Sequence, residues 1–215
     1  MTYPKAIVRR GPPSKTGYRG FTVNAVKGVV CHSMVGGLQA AMGELDNLDR
    51  RASWHYSVLK DGVVLVHYFD EAITWHCDSM QQNIRLIGIE HEGGLNPHNE
   101  PLTIKQREAS VDLVRWLSQR YGFPLVRKVG LWEHREIAQT ACPSGRIPWE
   151  YYTAEEEDMA AIETIWNPDF GRLYVIGQGI PTWIADPKAA ADIQAAYGAP
   201  KRALSWAALK ALGAT

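Results

Sequence analysis

Short apolar blocks separated by glycine, proline and charged residues set the rhythm of the first two-thirds of this chain. Gly28-Val29-Val30-Cys31-His32 reads as a short, fully buried strand. Leu38, Ala41, Met42, Leu45 and Leu48 recur at three- and four-residue spacing, which predicts an amphipathic helix. Two β-prone runs, Trp54 to Lys60 and Val63 to Tyr68, flank Asp61-Gly62 and predict a hairpin with a two-residue turn. Ile84 to Glu92 is a further apolar run, bounded by Gly93-Gly94, and Val126 to Trp132 predicts a last strand. The clearest helix spans 103–121. Thr103 with Gln106 forms a capping box, Leu113, Val114, Leu117 and Tyr121 form the buried stripe, and Gly122 and Pro124 stop it. A second helix is predicted from Glu155 to Trp166, with its acidic residues in the first turn.

Strands alternating with helices, plus one tight hairpin, imply an α/β fold with a mixed central β-sheet flanked by helices. Residues 1–27, rich in proline, glycine and basic side chains, read as an extended N-terminal arm. The main domain is expected over 28–167, with a boundary at Asn167-Pro168-Asp169. Beyond it, 168–215 is expected to form a small α+β appendage. Leu173 to Ile176 and Pro181 to Ile184 flank a Gly177-Gln178-Gly179 turn, and short helices follow Asp186-Pro187 and Pro200.

Composition narrows the function classes. Lys plus Arg equals Asp plus Glu at 23 each, so bulk charge recommends neither nucleic acid nor an anionic membrane as partner. No stretch approaches the eighteen or so apolar residues of a membrane span. The N-terminal residues carry positive charges without an apolar segment after them, so they do not read as a signal peptide, and synthesis in a cytoplasm is expected. Eight tryptophans suit cores and ligand-stacking surfaces alike. Three cysteines cannot all pair. The simplest reading puts Cys142 on a metal and leaves Cys31 and Cys77 as reduced thiols, with a Cys31–Cys77 disulfide as the alternative.

The candidate chemistry lies in three separated residues. His32 ends an apolar strand, and His134 and Cys142 sit eight residues apart, a spacing that suits a loop rather than one helical face. Two imidazoles and a thiolate are three of the four donors that a tetrahedral zinc ion takes, and an open fourth position is the catalytic arrangement. Spacing alone does not decide, since a strand-end histidine is commonly structural. In Ile87-Gly88-Ile89-Glu90, strand alternation puts Ile87 and Ile89 on one face and Glu90 on the other, with Gly88 and Glu92. Glu90 is the candidate general base, Glu92 is its rival, and a solvated strand glutamate is the alternative reading.

Five ordered pieces extend the pattern over about 120 residues: Val29-Val30-Cys31-His32, Ala52 to Val58 with Asp61-Gly62, Trp75-His76, Asn83 to Glu90, and His134 to Ile137 leading to Thr140-Ala141-Cys142-Pro143. Together they resemble the type 2 N-acetylmuramoyl-L-alanine amidases, which include phage endolysins, wall-recycling amidases and peptidoglycan-recognition proteins. The resemblance implies Zn2+ held by His32, His134 and Cys142, Glu90 as the catalytic carboxylate, and bacterial peptidoglycan as partner. It places His76 near the cleft, touching substrate or oxyanion, with a structural hydrogen bond as the alternative, and makes Trp54 and Trp75 substrate-side walls. His55 is expected behind the site, Arg135 and Glu136 in support of the ligand loop, and His67, His91 and His98 at the surface. Two departures stand out: many members carry tyrosine at Trp54, and some carry lysine at Thr140. Thr140 is left as a neutral hydrogen-bond donor, which shifts weight to Glu90. The implied enzyme is monomeric and cleaves the amide between the lactyl group of N-acetylmuramic acid and L-alanine. An endolysin acting on the wall from the host cytoplasm fits best. A cytoplasmic recycling amidase, a non-catalytic peptidoglycan binder and a Cys–His peptidase using Cys31 or Cys142 are the competing classes.

Overall fold

A computed structural model describes residues 2–18, 26–34, 36–94 and 100–153, together with the backbone of four strands beyond them. The chain divides into two compact units, Met1–Thr153 and Ala154–Thr215. The first is built on a six-stranded mixed sheet in the order β1-β5-β4-β7-β3-β8. These strands are β1 (Ile7–Val8), β3 (Gly28–Ser33), β4 (Tyr56–Val58), β5 (Val64–Val66), β7 (Leu86–His91) and β8 (Leu131–Glu133). The α/β expectation holds.

The centre of the sheet is parallel: β3 lies between β7 and β8, and β4 pairs with the other edge of β7. The expected Asp-Gly hairpin joins β4 to β5 antiparallel. Central parallel strands are covered on both faces, which is why β3 is buried along its whole length. The N-terminal arm contributes β1, parallel to β5, and β2 (Thr16–Tyr18), antiparallel to β6 (Ala72–Thr74).

Helix α3 (Ile104–Tyr121) buries Gln106, Ser110, Val111, Leu113, Val114 and Leu117, the recurring stripe of one helical face. Thr103 caps it by accepting from Gln106 N, and Gly122 ends it in the left-handed conformation at φ 69°. The reciprocal half of the expected capping box is absent. The Gln106 side chain instead donates to Val58 O at 2.9 Å and Glu92 O at 3.0 Å, tying the helix to the sheet. Helix α1 (Leu38–Asp46) packs Leu38 and Ala41 against Met34, Leu59 and Leu65.

Several elements differ from expectation. The run from Ile84 does not begin as strand: α2 (Met80–Arg85), capped by Ser79, occupies its start. The last strand of the sheet is only three residues long, because Val126 O accepts from Val129, Gly130 and Leu131 N and folds 126–130 into a turn. A short helix, α4 (Trp149–Thr153), precedes the second unit.

In that unit, β9 (Glu163–Asn167), β10 (Arg172–Gly177), β11 (Ile180–Trp183) and β12 (Arg202–Ala203) form a sheet in the order β11-β10-β9-β12. The expected helix at 155–166 is therefore strand from Glu163 onward, and its earlier residues lie outside the described ones. The last four residues of that segment, together with Asn167, pair with β10. The hairpin around Gly177 is as expected. The helix after Asp186 falls outside the described residues, as does that after Pro200 except for the strand at Arg202–Ala203.

One close approach sets the spacing of β3 and the 126–130 turn: a Cβ on Gly28 would lie 2.3 Å from Gly130 O. A backbone oxygen cannot yield as a side chain does, so Gly28→Ala is expected to destabilise the first unit by about 2–3 kcal/mol or more. Urea unfolding followed by tryptophan fluorescence checks this. A midpoint equal to that of the parent chain would contradict it.

Candidate active site and metal centre

Register places the site. His32 on β3 lies directly opposite Glu90 on β7, and Ser57 on β4 lies opposite Glu90 on its other side. Paired residues on neighbouring strands share a face, so His32 and Glu90 emerge side by side while Cys31 and Ile89 point to the other face. The expected separation of Glu90 from Ile87 and Ile89 is thus met.

His134 and Cys142 arrive from the segment after β8. A 3-10 turn at His134–Glu136 starts it, and Arg135 N donates to Cys142 O at 2.8 Å, closing the eight-residue gap. The loop is anchored at both ends. Glu136 accepts from Glu133 N at 2.8 Å and takes both carboxylate bonds from Arg127, at 2.7 and 2.8 Å. At the other end, the buried Arg146 donates to Ser33 Oγ at 2.9 Å and Glu92 O at 3.0 Å, while Ser33 Oγ donates to Pro143 O at 3.1 Å. Glu92, the rival base, is occupied here, its carboxylate accepting from Lys60 N at 3.0 Å.

The result is a tight donor cluster. One ligand-type atom from each of His32, His134 and Cys142 lies within 4.8 Å of the others. His32 Nδ1 is 3.9 Å from Cys142 Sγ, and the two imidazole centroids are 4.5 Å apart. His134 Nε2 is buried without a hydrogen-bond partner, and so is Glu90 Oε2. An orphaned buried acceptor is costly unless something fills it. Two nitrogens and a sulfur at this separation suit a single divalent metal ion.

Electrostatics agree with that use. Burial, reinforced by His76 and then His134, holds the His32 pKa well below the usual imidazole value, and burial also lowers that of His134. Both rings are therefore neutral near pH 7, the form that ligates. Burial, followed by nearby Glu90, pushes the Cys142 thiol up to about 12, opposed by the Ser33 N–H that points at its sulfur from 3.3 Å. Burial raises Glu90 to about 8. Without a cation, thiol and carboxyl both keep their protons at neutrality.

The sequence profile of the family described as N-acetylmuramoyl-L-alanine amidase matches residues 22–145, more than half of the chain. The chain belongs to that family. No curated protein sequence matches it. Among solved structures, it is similar to the endolysin N-acetylmuramoyl-L-alanine amidase LysCS from Clostridium intestinale URNW, with a TM-score of 0.54 and 22% identity over 72% of this chain and 96% of that one. A selenomethionine AmpD derivative matches with a TM-score of 0.54 and 19% identity over 70% of this chain and 93% of the other. A mutant endolysin from Bacillus subtilis matches with a TM-score of 0.51 and 20% identity over 72% of this chain and all of the other, 100%. These likenesses are of fold.

In this amidase a cavity of about 610 Å³ opens over the cluster, with His32, Glu90, His134, Thr140 and Cys142 among its lining and Trp54 and Trp75 on its walls. Trp54 is not free to donate to a ligand. Its Nε1 donates to Ser57 Oγ at 2.9 Å, Ser57 Oγ meets His67 Nε2 at 2.8 Å, and His67 Nδ1 meets Arg9 O at 2.7 Å. Trp75 is half-buried beneath the Arg51 guanidinium, 4.3 Å from the ring centroid. Thr140 Oγ1 accepts from Cys142 N at 3.2 Å, leaving its hydroxyl hydrogen for a second partner.

His76 reaches the cavity floor, but both its ring nitrogens face protein groups: Nδ1 lies 3.2 Å from His32 Nε2, and Nε2 lies 3.3 Å from Leu86 O. These are the contacts of the structural alternative. His55 is fully buried, bonding Ala72 O, Thr74 Oγ1 and Gly88 N, as expected for a group behind the site. The surface assignments of His67 and His91 are corrected: both are completely buried. His91 spans His32 O at 2.8 Å and Ser110 Oγ at 2.7 Å, fastening β3 to α3. Alternating exposure along a strand hides this, because a histidine next to a polar residue reads as outward-facing. His98 lies outside the described residues. Arg146 is hidden for a similar reason: in Pro143-Ser144-Gly145-Arg146 an arginine has the pattern of a solvated loop residue, yet it is buried. All three cysteines are free, so no Cys31–Cys77 disulfide forms.

Proton counting tests this site without any substrate. Binding a divalent metal at pH 7 is expected to release close to two protons, one from Cys142 and most of one from Glu90. The Glu90→Gln chain should release about one. Titration calorimetry in buffers of differing ionisation enthalpy measures both numbers, and equal release from the two chains would contradict a Glu90 that keeps its proton until the metal binds.

Proposed function

We propose that this amidase is a zinc-dependent peptidoglycan hydrolase of the endolysin kind, cleaving the amide between the lactyl group of N-acetylmuramic acid and L-alanine of the stem peptide. The observation that carries the reading is the convergence of His32, His134 and Cys142 on one point beside the unpartnered Glu90 Oε2. Those three side chains would hold the zinc. When bound, it supplies Lewis acidity that polarises a carbonyl and makes water a nucleophile near neutral pH.

The protein groups do the rest. Glu90 takes the proton from the attacking water and returns it to the departing α-amino group of L-alanine. A carboxyl shifted toward neutrality by burial suits both transfers. Thr140 donates its hydroxyl hydrogen to the developing oxyanion, a neutral contribution smaller than an ammonium would make. Trp54, clamped by Ser57, and Trp75, clamped under Arg51, give rigid aromatic walls for sugar and peptide. The second unit, whose sheet pairs Tyr174 with Trp183, is the candidate wall-binding module of such an enzyme.

Retention of Cys142 favours hydrolysis over a purely binding role. Cys31 is completely buried, and burial raises its pKa far above that of a reactive thiol, which disfavours a Cys–His peptidase.

Mass spectrometry of products from a defined muropeptide tests the function. The expected products are a free stem peptide with an L-alanine amino terminus and an intact glycan. A new reducing end, or cleavage within the stem, would refute the assignment. Activity should vanish with a strong chelator and return with zinc. Cys142→Ser should lose metal and activity together. Glu90→Gln should keep the metal and lose roughly 10²–10⁴-fold in turnover, and full activity in that variant would move the base elsewhere.

A further inference from the structure

His32 has two ring nitrogens, and only one of them faces Cys142. What presents that nitrogen, rather than the other, as a bare lone pair is written in the groups behind it. His76 Nε2 lies 3.3 Å from Leu86 O. A carbonyl oxygen has no hydrogen to give, so His76 must carry its proton on Nε2 and keep Nδ1 as an acceptor. His32 Nε2 lies 3.2 Å from that Nδ1 and must supply the hydrogen between them. A neutral imidazole holds one ring hydrogen, so His32 Nδ1 is left bare, and this is the atom 3.9 Å from Cys142 Sγ.

The placement of His76 is fixed from every side. Asn83 Oδ1 accepts from His76 N at 3.2 Å and Cys77 N at 2.8 Å, and Asn83 Nδ2 donates to Cys77 O at 2.9 Å. The ring lies against the backbone of β7 where Gly88 has no side chain, since a Cβ there would sit 2.6 Å from His76 Cγ. Cys77 Sγ also approaches His76 Nδ1, at 3.3 Å, but a thiol is the weaker donor and does not displace an imidazole N–H.

We propose that His76 is a positioning residue for the metal: a Leu86 carbonyl–His76–His32 relay selects the His32 tautomer and holds its Nδ1 toward the site. The proposal rests on the reading of His32 as a ligand, but the tautomer can be read without metal. The competing arrangement is a second cluster, His32, His76 and Cys77, whose ligand atoms also lie within 4.8 Å of one another. It would use His32 Nε2 instead, so the two arrangements exclude each other on a single neutral imidazole.

Nitrogen-15 histidine spectra of the full chain distinguish them. In the metal-free protein His32 should show Nε2–H with a bare Nδ1. After zinc addition, Nδ1 should carry the metal with Nε2–H retained. Nδ1–H in the metal-free state, or zinc on Nε2, would overturn the relay. Zinc affinity measured by chelator competition gives a second reading. His76→Leu should weaken binding roughly 10- to 100-fold, while His76→Asn, whose Oδ1 can accept the same hydrogen, should recover most of that loss. Cys77→Ala should leave both the spectrum and the affinity as in the parent. Unchanged affinity in His76→Leu, or an equal loss in His76→Asn, would refute the positioning role. A parent chain that takes up no zinc would instead refute the zinc reading, with the metal-free spectrum still testing the tautomer.

Discussion

The parallel pairing of β3 with β7 is the constraint from which the site follows. Six consecutive residue pairs, Gly28–Leu86 to Ser33–His91, fix His32 opposite Glu90 and Gly88 opposite Val30. A slip of one residue would turn His32 toward α3 and put Cys31 in the cavity. The register is held by burial on both faces: Val29, Cys31, Ile87 and Ile89 fill one side, and Val30 and Leu86 pack with Cys77 on the other. His91, bonded to His32 O and Ser110 Oγ, ties the same strand pair to α3. The core thus does two jobs, stabilising the sheet and setting the distance between a donor atom and a carboxyl.

The second half of the site is a loop held by ionic and backbone bonds as well as by Ile137, which packs against Val30, Cys77 and Leu86. Arg127 grips Glu136, which caps the turn carrying His134, and Arg146 links Ser33 and Glu92 to the segment carrying Cys142. Arginines bonded in this way act through several directed bonds at once, so they specify geometry more than they add stability. The loop can therefore bring the His134 and Cys142 side chains in from outside the sheet with little freedom to spread apart.

Histidine is the commonest buried polar residue among the described ones. His32, His55, His67 and His91 are all nearly or fully buried, and burial holds His67 and His91 at about 4, keeping both neutral in physiological conditions. Neutral imidazoles are one-donor, one-acceptor connectors, and here they join strands to helix α3, to the N-terminal arm and to each other. The arm's carbonyl at Arg9 reaches Trp54 through His67 and Ser57, so a segment far from the cavity in sequence stiffens one of its walls.

Local pattern by itself determined much of this protein. The alternation around Glu90, the apolar block ending at His32, the Asp61-Gly62 turn and the stripe of α3 each follow from periodicity and turn chemistry, while it was the family resemblance, not spacing, that singled out His32, His134 and Cys142, which the fold brings together. What only the tertiary structure decided is which polar atoms are taken. Sequence shows a tryptophan, a histidine or an arginine as a reagent. It does not show that Trp54 Nε1 is already bonded to Ser57, that both His76 nitrogens face inward, or that Arg146 is enclosed. The partners range from three residues away, for Trp54 and Ser57, to more than a hundred, for Arg146 and Ser33, and sequence spacing names none of them. The strand at Glu163–Asn167 was hidden for the same reason: its pairing energy comes from β10 and β12, and short-range periodicity carries no record of a neighbour's backbone.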